Sequence, residues 1–250
     1  MSKNDTLANG RDPVASEPAT AGSFTSRERG QIYHFLELAL AHPGEGGHEY
    51  FCEAGTEQEF LQVYGVEVQA DQTLADKGGA AARRFFAGLR GMNYEQVEGS
   101  YIALFTNNYP HLPCPPYGSL FTAIDSEKRL EEMLAIKEFY QSHGVDIADS
   151  FDDLPDHLCV ELEFMQLLCF REREAADAGD QELLTGVRKA ETEFLDKFLL
   201  PFATRLADLA VGSAADNPYS SLLEAARCFL LAHRKQFGEP AVLPTELIRS

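Results

Sequence analysis

Leu154-Pro-Asp-His-Leu-Cys-Val-Glu-Leu-Glu-Phe-Met165 packs a helix start, an acidic patch and a lone histidine into twelve residues. Asp156 is a favoured N-cap type, because its carboxylate can accept a hydrogen bond from an orphan N–H of the first turn. Leu158, Leu162, Met165 and Cys169 follow at i, i+4, i+7 and i+11, which is one face of an α-helix. Glu161 and Glu163 lie off that stripe. His157 and Glu161, four apart, are neighbours on the helix surface. The pattern predicts a helix from Asp156 to about Ala178, stopped by Gly179.

Outward from this stretch the chain reads as helix after helix. Thr25-x-x-Glu28 is a capping box, and Ile32, Phe35, Leu36, Ala39 and Leu40 make an apolar face that ends at Pro43-Gly44. Further helices are predicted over about 48–63, 71–91 and 93–106. Another begins at Asp125 or Ser126, turns Leu130, Met133, Leu134 and Tyr140 inward, and stops at Gly144. Three more are predicted over about 180–198, 201–211 and 218–237. The last has Asn217 as N-cap and Pro218 at the first helical position, where a missing N–H costs nothing. Between the two sets lies 107–121, where Pro110, Pro113, Pro115 and Pro116 forbid a helix. This stretch also holds Tyr109, Leu112, Tyr117, Leu120 and Phe121, too apolar for a solvated tether, so it is expected to pack across the body of the protein. Residues 1–24 read as a disordered tail and 238–250 as a C-terminal tail. No segment alternates β-branched residues with period two. The fold class is therefore all-α: a single helical-bundle domain of about eight to ten helices over 25–237, with 107–121 as a hinge loop.

Composition narrows the function. The chain has 250 residues, 40 of them acidic and 21 basic, for a formal charge of −19. Nucleic-acid phosphates would be repelled by that field, and a cationic partner such as a basic peptide would be attracted. The same charge also serves solubility alone. Cys52, Cys114, Cys159, Cys169 and Cys228 are odd in number and contain no C-x-x-C pair, which reads as reduced thiols in a cytoplasmic protein. No run approaches the ~20 apolar residues of a membrane span, and the N-terminus lacks the apolar core of a secretory signal.

Two local clusters could carry chemistry. His157, Glu161 and Glu163 are the one His/carboxylate group with local spacing. They could begin a metal site, and thus a small metal-dependent or cofactor-modifying enzyme, or they could be a capping histidine beside solvated acids. Asp149, Asp152, Asp153, Asp156, Glu161 and Glu163 place six carboxylates within fifteen residues. Read as a solvated loop, they do nothing specific. Beside an apolar groove they would suit a peptide with arginines followed by a hydrophobic stretch, since arginine pairs with carboxylates in bidentate fashion. G-x-S-x-G, G-x-G-x-x-G and a P-loop are all missing, and Cys114 has no neighbouring base to activate it. An enzyme is not expected.

Two motifs carry a family resemblance. Tyr101-Ile-Ala-Leu-Phe105, followed by Pro113-Cys-Pro-Pro-Tyr-Gly-Ser119, resembles a Tyr-x-x-Leu-Phe helix and Pro-x-Tyr-x-Ser loop of the TorD/DmsD/NarJ family. Leu154 to Met165 resembles its Pro-Asp-His…Glu-x-Glu-Phe helix start. These are cytoplasmic maturation chaperones of molybdenum-containing oxidoreductases. The resemblance implies an all-helical monomer or homodimer with no cofactor of its own. It would bind the immature catalytic subunit of a molybdoenzyme, or that subunit's twin-arginine signal peptide, until the cofactor is inserted and export is allowed. Carried over by position, Pro155, Asp156 and His157 would form the partner-binding surface, with Tyr117 and Ser119 nearby and Asp152, Asp153 and Glu161 adding charge. The Pro-Pro-Tyr-Gly-Ser variant looks most like the chaperones of the dimethyl sulfide, ethylbenzene, chlorate and selenate group. Lys197-Phe-Leu-Leu-Pro-Phe202 departs from the pattern, standing without His or Trp where the family often has His-Leu-x-x-Trp.

Overall fold

The computed structural model describes residues 25–68, 71–106, 112–123, 125–147 and 153–238. Among them are eleven α-helices and two π-turns, with no strand beyond one isolated β-bridge. The 1–24 tail and, apart from Gly238, the 238–250 tail lie outside the described residues.

α1 (Ser26–Leu40) opens on the predicted capping box of Thr25 and Glu28. The helix expected over 48–63 is two, α2 (Glu45–Cys52) and α3 (Ala54–Val68), because the backbone turns extended at Glu53. The reason lies in packing. Residues 51 and 60 are nine apart, half a revolution out of phase on one continuous helix. The break lets both rings reach Phe35, Phe51 at 5.2 Å and Phe60 at 4.1 Å between centroids. α4 (Gln72–Arg90) is capped by Asp71, and α5 (Tyr94–Tyr101) by an Asn93/Gln96 capping box. α5 then widens into a π-turn at Ile102–Thr106.

A single helical turn, α6 (Ser119–Thr122), interrupts the proline-rich stretch, and α7 (Ser126–Ser142) starts at the predicted Asp125 cap. The inward face of α7 differs from expectation. Ile136 and Tyr140 are buried and Met133 is half-buried, while Leu130 and Leu134 are 55% and 50% exposed. Only the second half of α7 reaches the core, where Tyr140 and Phe139 meet Phe164 and Phe194.

α8 (Leu158–Ala178) ends at Gly179, whose φ of +70° suits a residue without Cβ. α9 (Gln181–Phe194) passes through a second π-turn, Leu195–Leu199, straight into α10 (Leu200–Ala214). The gap expected before Pro201 does not open. A proline ring crowds the carbonyl four residues back. Here the Leu200 N–H reaches five residues back to the Leu195 carbonyl, and the widened turn admits the ring. α11 (Pro218–Gln236) begins at Asn217, whose side chain accepts from the Tyr219 N–H at 2.9 Å.

α11 is buried on nearly every side, and the shared core forms around it. α4 packs against it closely because Gly78 has no side chain. A Cβ there would overlap the Tyr64 hydroxyl, which donates to the Ala225 carbonyl at 2.8 Å, and would press on Cys228 Cβ at 2.8 Å. α1 lies along α8.

Through this core runs a buried polar chain that the sequence reading missed. The Tyr33 hydroxyl meets His233 Nδ1 at 2.7 Å, and His233 Nε2 meets Glu191 at 3.0 Å. Arg29 pairs with Glu172 and lies 3.8 Å from Glu191, while Arg188 reaches Glu172 at 2.8 Å. Burial drives His233 well below its ordinary pKa, reinforced by Arg29 and Arg234, so the ring is neutral. Burial also lifts the Glu191 carboxyl to about 7, against the pull of Arg29 and Arg188. Its sequence signal was available: Arg29 precedes Ile32, Tyr33 and Leu36 on the buried face of α1, and Glu172 continues the stripe of α8.

Arg29→Met leaves two buried carboxylates short of their cation and is expected to cost about 3–5 kcal/mol in denaturant unfolding. Gly78→Ala, by overpacking the α4–α11 contact, is expected to cost about 1–3 kcal/mol in the same measurement.

Candidate functional site

The proline-rich loop and the start of α8 are held together by backbone hydrogen bonds. The Gly118 N–H donates to the Asp156 carbonyl and the Leu158 N–H to the Pro116 carbonyl, both at 2.9 Å, forming an antiparallel bridge between Tyr117 and His157. Prolines leave this loop few donors, and several of the described ones find partners outside it. The Cys114 N–H finds the Leu104 carbonyl in the first π-turn at 3.1 Å, and the Ser119 N–H finds Asp156 Oδ2 at 2.9 Å. The described part of the loop therefore packs across the body, as expected; 107–111 fall outside the described residues.

Asp156 is not the N-cap of α8. Its carboxylate is buried and turned to the Ser119 N–H, and its carbonyl belongs to the bridge. The cap is His157, whose Nδ1 accepts from the Cys159 N–H at 3.2 Å. The helix consequently starts at Leu158. Accepting at Nδ1 places the ring proton on Nε2, which faces Asp153 Oδ2 at 3.8 Å. Burial lowers the His157 pKa, with Asp153 and Asp156 opposing. The Tyr117 ring meets the imidazole edge-on, centroids 5.2 Å apart, and burial followed by Asp153 raises its phenol. The Pro155 carbonyl accepts from the Tyr140 hydroxyl at 3.0 Å.

Glu161 was expected off the apolar stripe, near His157 on the helix surface. It is instead 1% exposed, because α8 buries a second row, Glu161, Phe164, Leu168, Glu172 and Ala175, toward neighbouring helices. Burial, and then repulsion from Asp156, holds its carboxyl well above the usual range. Gly118 makes room for it: a Cβ at that position would stand 3.2 Å from Glu161 Oε1 and 3.5 Å from the Phe202 ring.

Two cavities flank the junction. The larger, about 540 Å³, is an open apolar groove between the end of α7 and α8, walled by Tyr140, Ile147, Val160, Phe164, Leu167 and Phe170, with the exposed acids Asp146 and Glu163 at its edge. The smaller, about 210 Å³, is bounded by α6, α7 and the second π-turn and receives Asp156 and Glu161.

The structure thus gathers Tyr117, Ser119, Asp153, Pro155, Asp156, His157 and Glu161 at one junction, with Ser119, Asp156 and Glu161 buried and the others half-buried. Asp149 and Asp152 lie outside the described residues. His157, Glu161 and Glu163 do not converge. His157 caps the helix, Glu161 lines the small cavity and Glu163 lines the groove. Among the described residues no group of three His, Cys, Asp or Glu could hold a metal ion. Burial pushes the Cys114 thiol up to about 11 and Cys159 to about 12, so both stay protonated at neutral pH. No described helix is long and apolar enough to cross a membrane.

The class that this helical body and looped junction define is recognisable by comparison. The family model described as nitrate reductase delta subunit matches residues 71–208, which includes both motifs and the junction between them. The chain belongs to this family, the TorD/NarJ group. It is 31% identical over 156 residues to the selenate reductase assembly chaperone protein of Thauera selenatis, covering 60% of this chain and 75% of that one. It is 22% identical over 215 residues to the perchlorate reductase assembly chaperone protein of Dechloromonas aromatica, covering 84% and 90%.

Two outcomes follow from the junction. Asp156→Ala strands the buried Ser119 N–H at a cost of about 1–3 kcal/mol, so hydrogen exchange at that amide should accelerate about ten- to a hundredfold. His157 titrates with a lowered pKa, so its contribution to stability is present above the unfolded value and lost as pH falls through it toward the folded value. Cys159 amide protection, corrected for intrinsic rates, should therefore fall between about pH 7 and 5. His157→Asn, a non-titrating cap, should flatten that dependence.

Proposed function

We propose that this protein is a cytoplasmic assembly chaperone. It binds the immature catalytic subunit of a molybdenum-cofactor oxidoreductase through that subunit's twin-arginine signal peptide and supports cofactor insertion before export. Family membership and the two assembly-chaperone relatives support the class.

The observation that carries the peptide reading is the larger groove. Its walls are apolar and aromatic, it is open along one side, and Asp146 and Glu163 stand at its edge. A twin-arginine signal peptide has the matching order, cationic residues followed by an apolar run. The apolar run gains by leaving water for the groove, in proportion to the area buried. The arginines meet carboxylates at the rim, where charge pairs set orientation and association rate more than affinity. Phe170 and Leu154, each 46% exposed, extend the apolar surface at the groove and on the approach to α8. The overall charge of −19 adds an attraction that reaches about 10 Å at 0.1 M salt. The exposed aromatic of the groove is the place for a hot spot, and the rim acids for steering.

The test is a calorimetric titration of the full chain with a twin-arginine signal peptide of a molybdoenzyme, at low and high salt. Saturable binding that weakens with salt is expected. Phe170→Ala should weaken it about tenfold at both salts. Glu163→Lys should weaken it by about threefold to tenfold at low salt and less at high salt. Binding to the wild-type chain that neither substitution alters would place the peptide elsewhere. Failure to bind the peptide, together with failure to retain a molybdoenzyme subunit in a pull-down from native cells, would remove the chaperone reading.

A further inference from the structure

α7 carries a ridge that faces away from the body of the protein. With 3.6 residues per turn, Ile136 and Tyr140 point to the core, and Glu127, Leu130, Leu134, Lys137 and Gln141 follow at spacings of three and four along the other side. Leu130 and Leu134 stand one turn apart near the middle of the helix, each half or more exposed. Leucines scattered singly over a surface are ordinary, but two stacked in one turn make a continuous apolar strip. The residues of α7 that line the two cavities, Glu132, Ala135, Ile136 and Tyr140, all lie off this strip. The ridge is therefore separate from the groove and from the small cavity.

The charges flanking the leucines select the partner. Leu130 and Leu134 lie symmetrically about position 132, and so do Glu127 and Lys137, each about 7.5 Å along the helix from it. Neither Glu127 nor Lys137 has an ion-pair partner among the described residues, whereas the neighbouring Lys128 and Glu131 pair with each other. A strip that reads the same from both ends, with the sign of its charges reversed, is complementary to itself when turned end for end. We infer that this face of α7 is the seam of a homodimer, in which α7 meets α7 of a second copy antiparallel about a two-fold axis near position 132. Leu130 of one copy packs on Leu134 of the other, and Glu127 of one lies opposite Lys137 of the other, each contact made twice as an isologous interface requires. A parallel pair would set Glu127 against Glu127 and Lys137 against Lys137, and like charges in contact oppose association. The antiparallel order also brings the positive end of one helix dipole beside the negative end of the other.

Magnitudes make this a weak, reversible dimer. α7 has 17 residues and is about 25 Å long, so one helix pair buries less than the ~1,200–2,000 Å² of a standard stable interface. Each copy also carries a formal charge of −19, and two such copies repel at a distance. At ~0.15 M salt that repulsion is screened beyond about 8 Å, while charges in contact across the seam are screened less. A dissociation constant of about 10–100 μM follows. The inference draws on α7 alone and does not rest on the chaperone reading.

The test is sedimentation velocity of the full chain from about 1 μM to about 500 μM at ~0.15 M salt. A concentration-dependent passage from monomer to dimer is expected. Glu127→Lys and Lys137→Glu should each weaken it about tenfold, because each replaces two opposite-charge pairs by two like-charge pairs. The double variant carrying both changes should recover the wild-type affinity. An equimolar mixture of the two single variants should form a heterodimer more readily than either pairs with itself. Leu130→Ser should weaken the dimer at least about tenfold through lost apolar burial, with the melting temperature of the monomer unchanged because the side chain is exposed. A chain that stays monomeric over the whole range overturns the inference. So does a dimer indifferent to the charge reversals, which would place the interface elsewhere or mark an exchange of halves across 107–121. Weakening by the single variants with no recovery in the double variant or the mixture overturns the antiparallel seam.

Discussion

Two backbone hydrogen bonds, Gly118 to Asp156 and Leu158 to Pro116, decide the geometry of everything around them. A loop of prolines cannot satisfy its own carbonyls by folding back on itself, so it must borrow donors from elsewhere. Here it borrows the N–H of Leu158, the first residue of α8, and lends the N–H groups of Gly118 and Ser119 to Asp156 in return. That exchange fixes where α8 begins. It aims the Asp156 carboxylate inward, makes His157 the cap, and brings Gly118 close enough to Glu161 that no other residue would leave the same space. The π-turn after α5 contributes the Leu104 carbonyl that anchors the loop's other end. A local departure from ideal helix thus serves a long-range contact.

The acidity of the chain takes two forms. Most carboxylates are on the surface, where water solvates them and their sum attracts cations. A few are buried, and their treatment differs. Glu172, Glu191 and Glu224 sit among Arg29, Arg188, His233, Lys77 and Arg227, and they tie helices together. Asp156 and Glu161 face an opening instead. Buried charge matched from within the chain is architecture.

Much of this was legible in the chain. Capping residues at Thr25, Asp125 and Asn217, the stop at Gly179 and the stripe of α8 all carry local signals, and local physics settled them. What escaped was non-local. The break at Glu53 has only Gly55, already inside the next helix, to announce it, and it lets two phenylalanines reach a third ring. Leu130 and Leu134 fit a helical period but lie on the half of α7 that the core never reaches. Asp156 is a good cap by type, yet a donor from Ser119, 37 residues earlier, claims its carboxylate. The meeting of the proline-rich loop with the start of α8 was readable from its motifs. Its depth was not, because burial of Ser119, Asp156 and Glu161 depends on which loop covers them.

The polar chain through the core joins the first helix to the last. Arg29 finds Glu172 across 143 residues, and Tyr33 finds His233 across 200. During synthesis, α1 leaves the ribosome with a guanidinium that has nothing to be buried against until α8 and α9 follow. Its tyrosine waits longer still, for α11. Contacts of such separation are closed late. A polypeptide cut short anywhere before residue 233 would carry an uncompensated core and stand out to the cell's proteases as unfinished. The protein proposed to hold back an incomplete enzyme has an interior that itself closes only once α11 has been made.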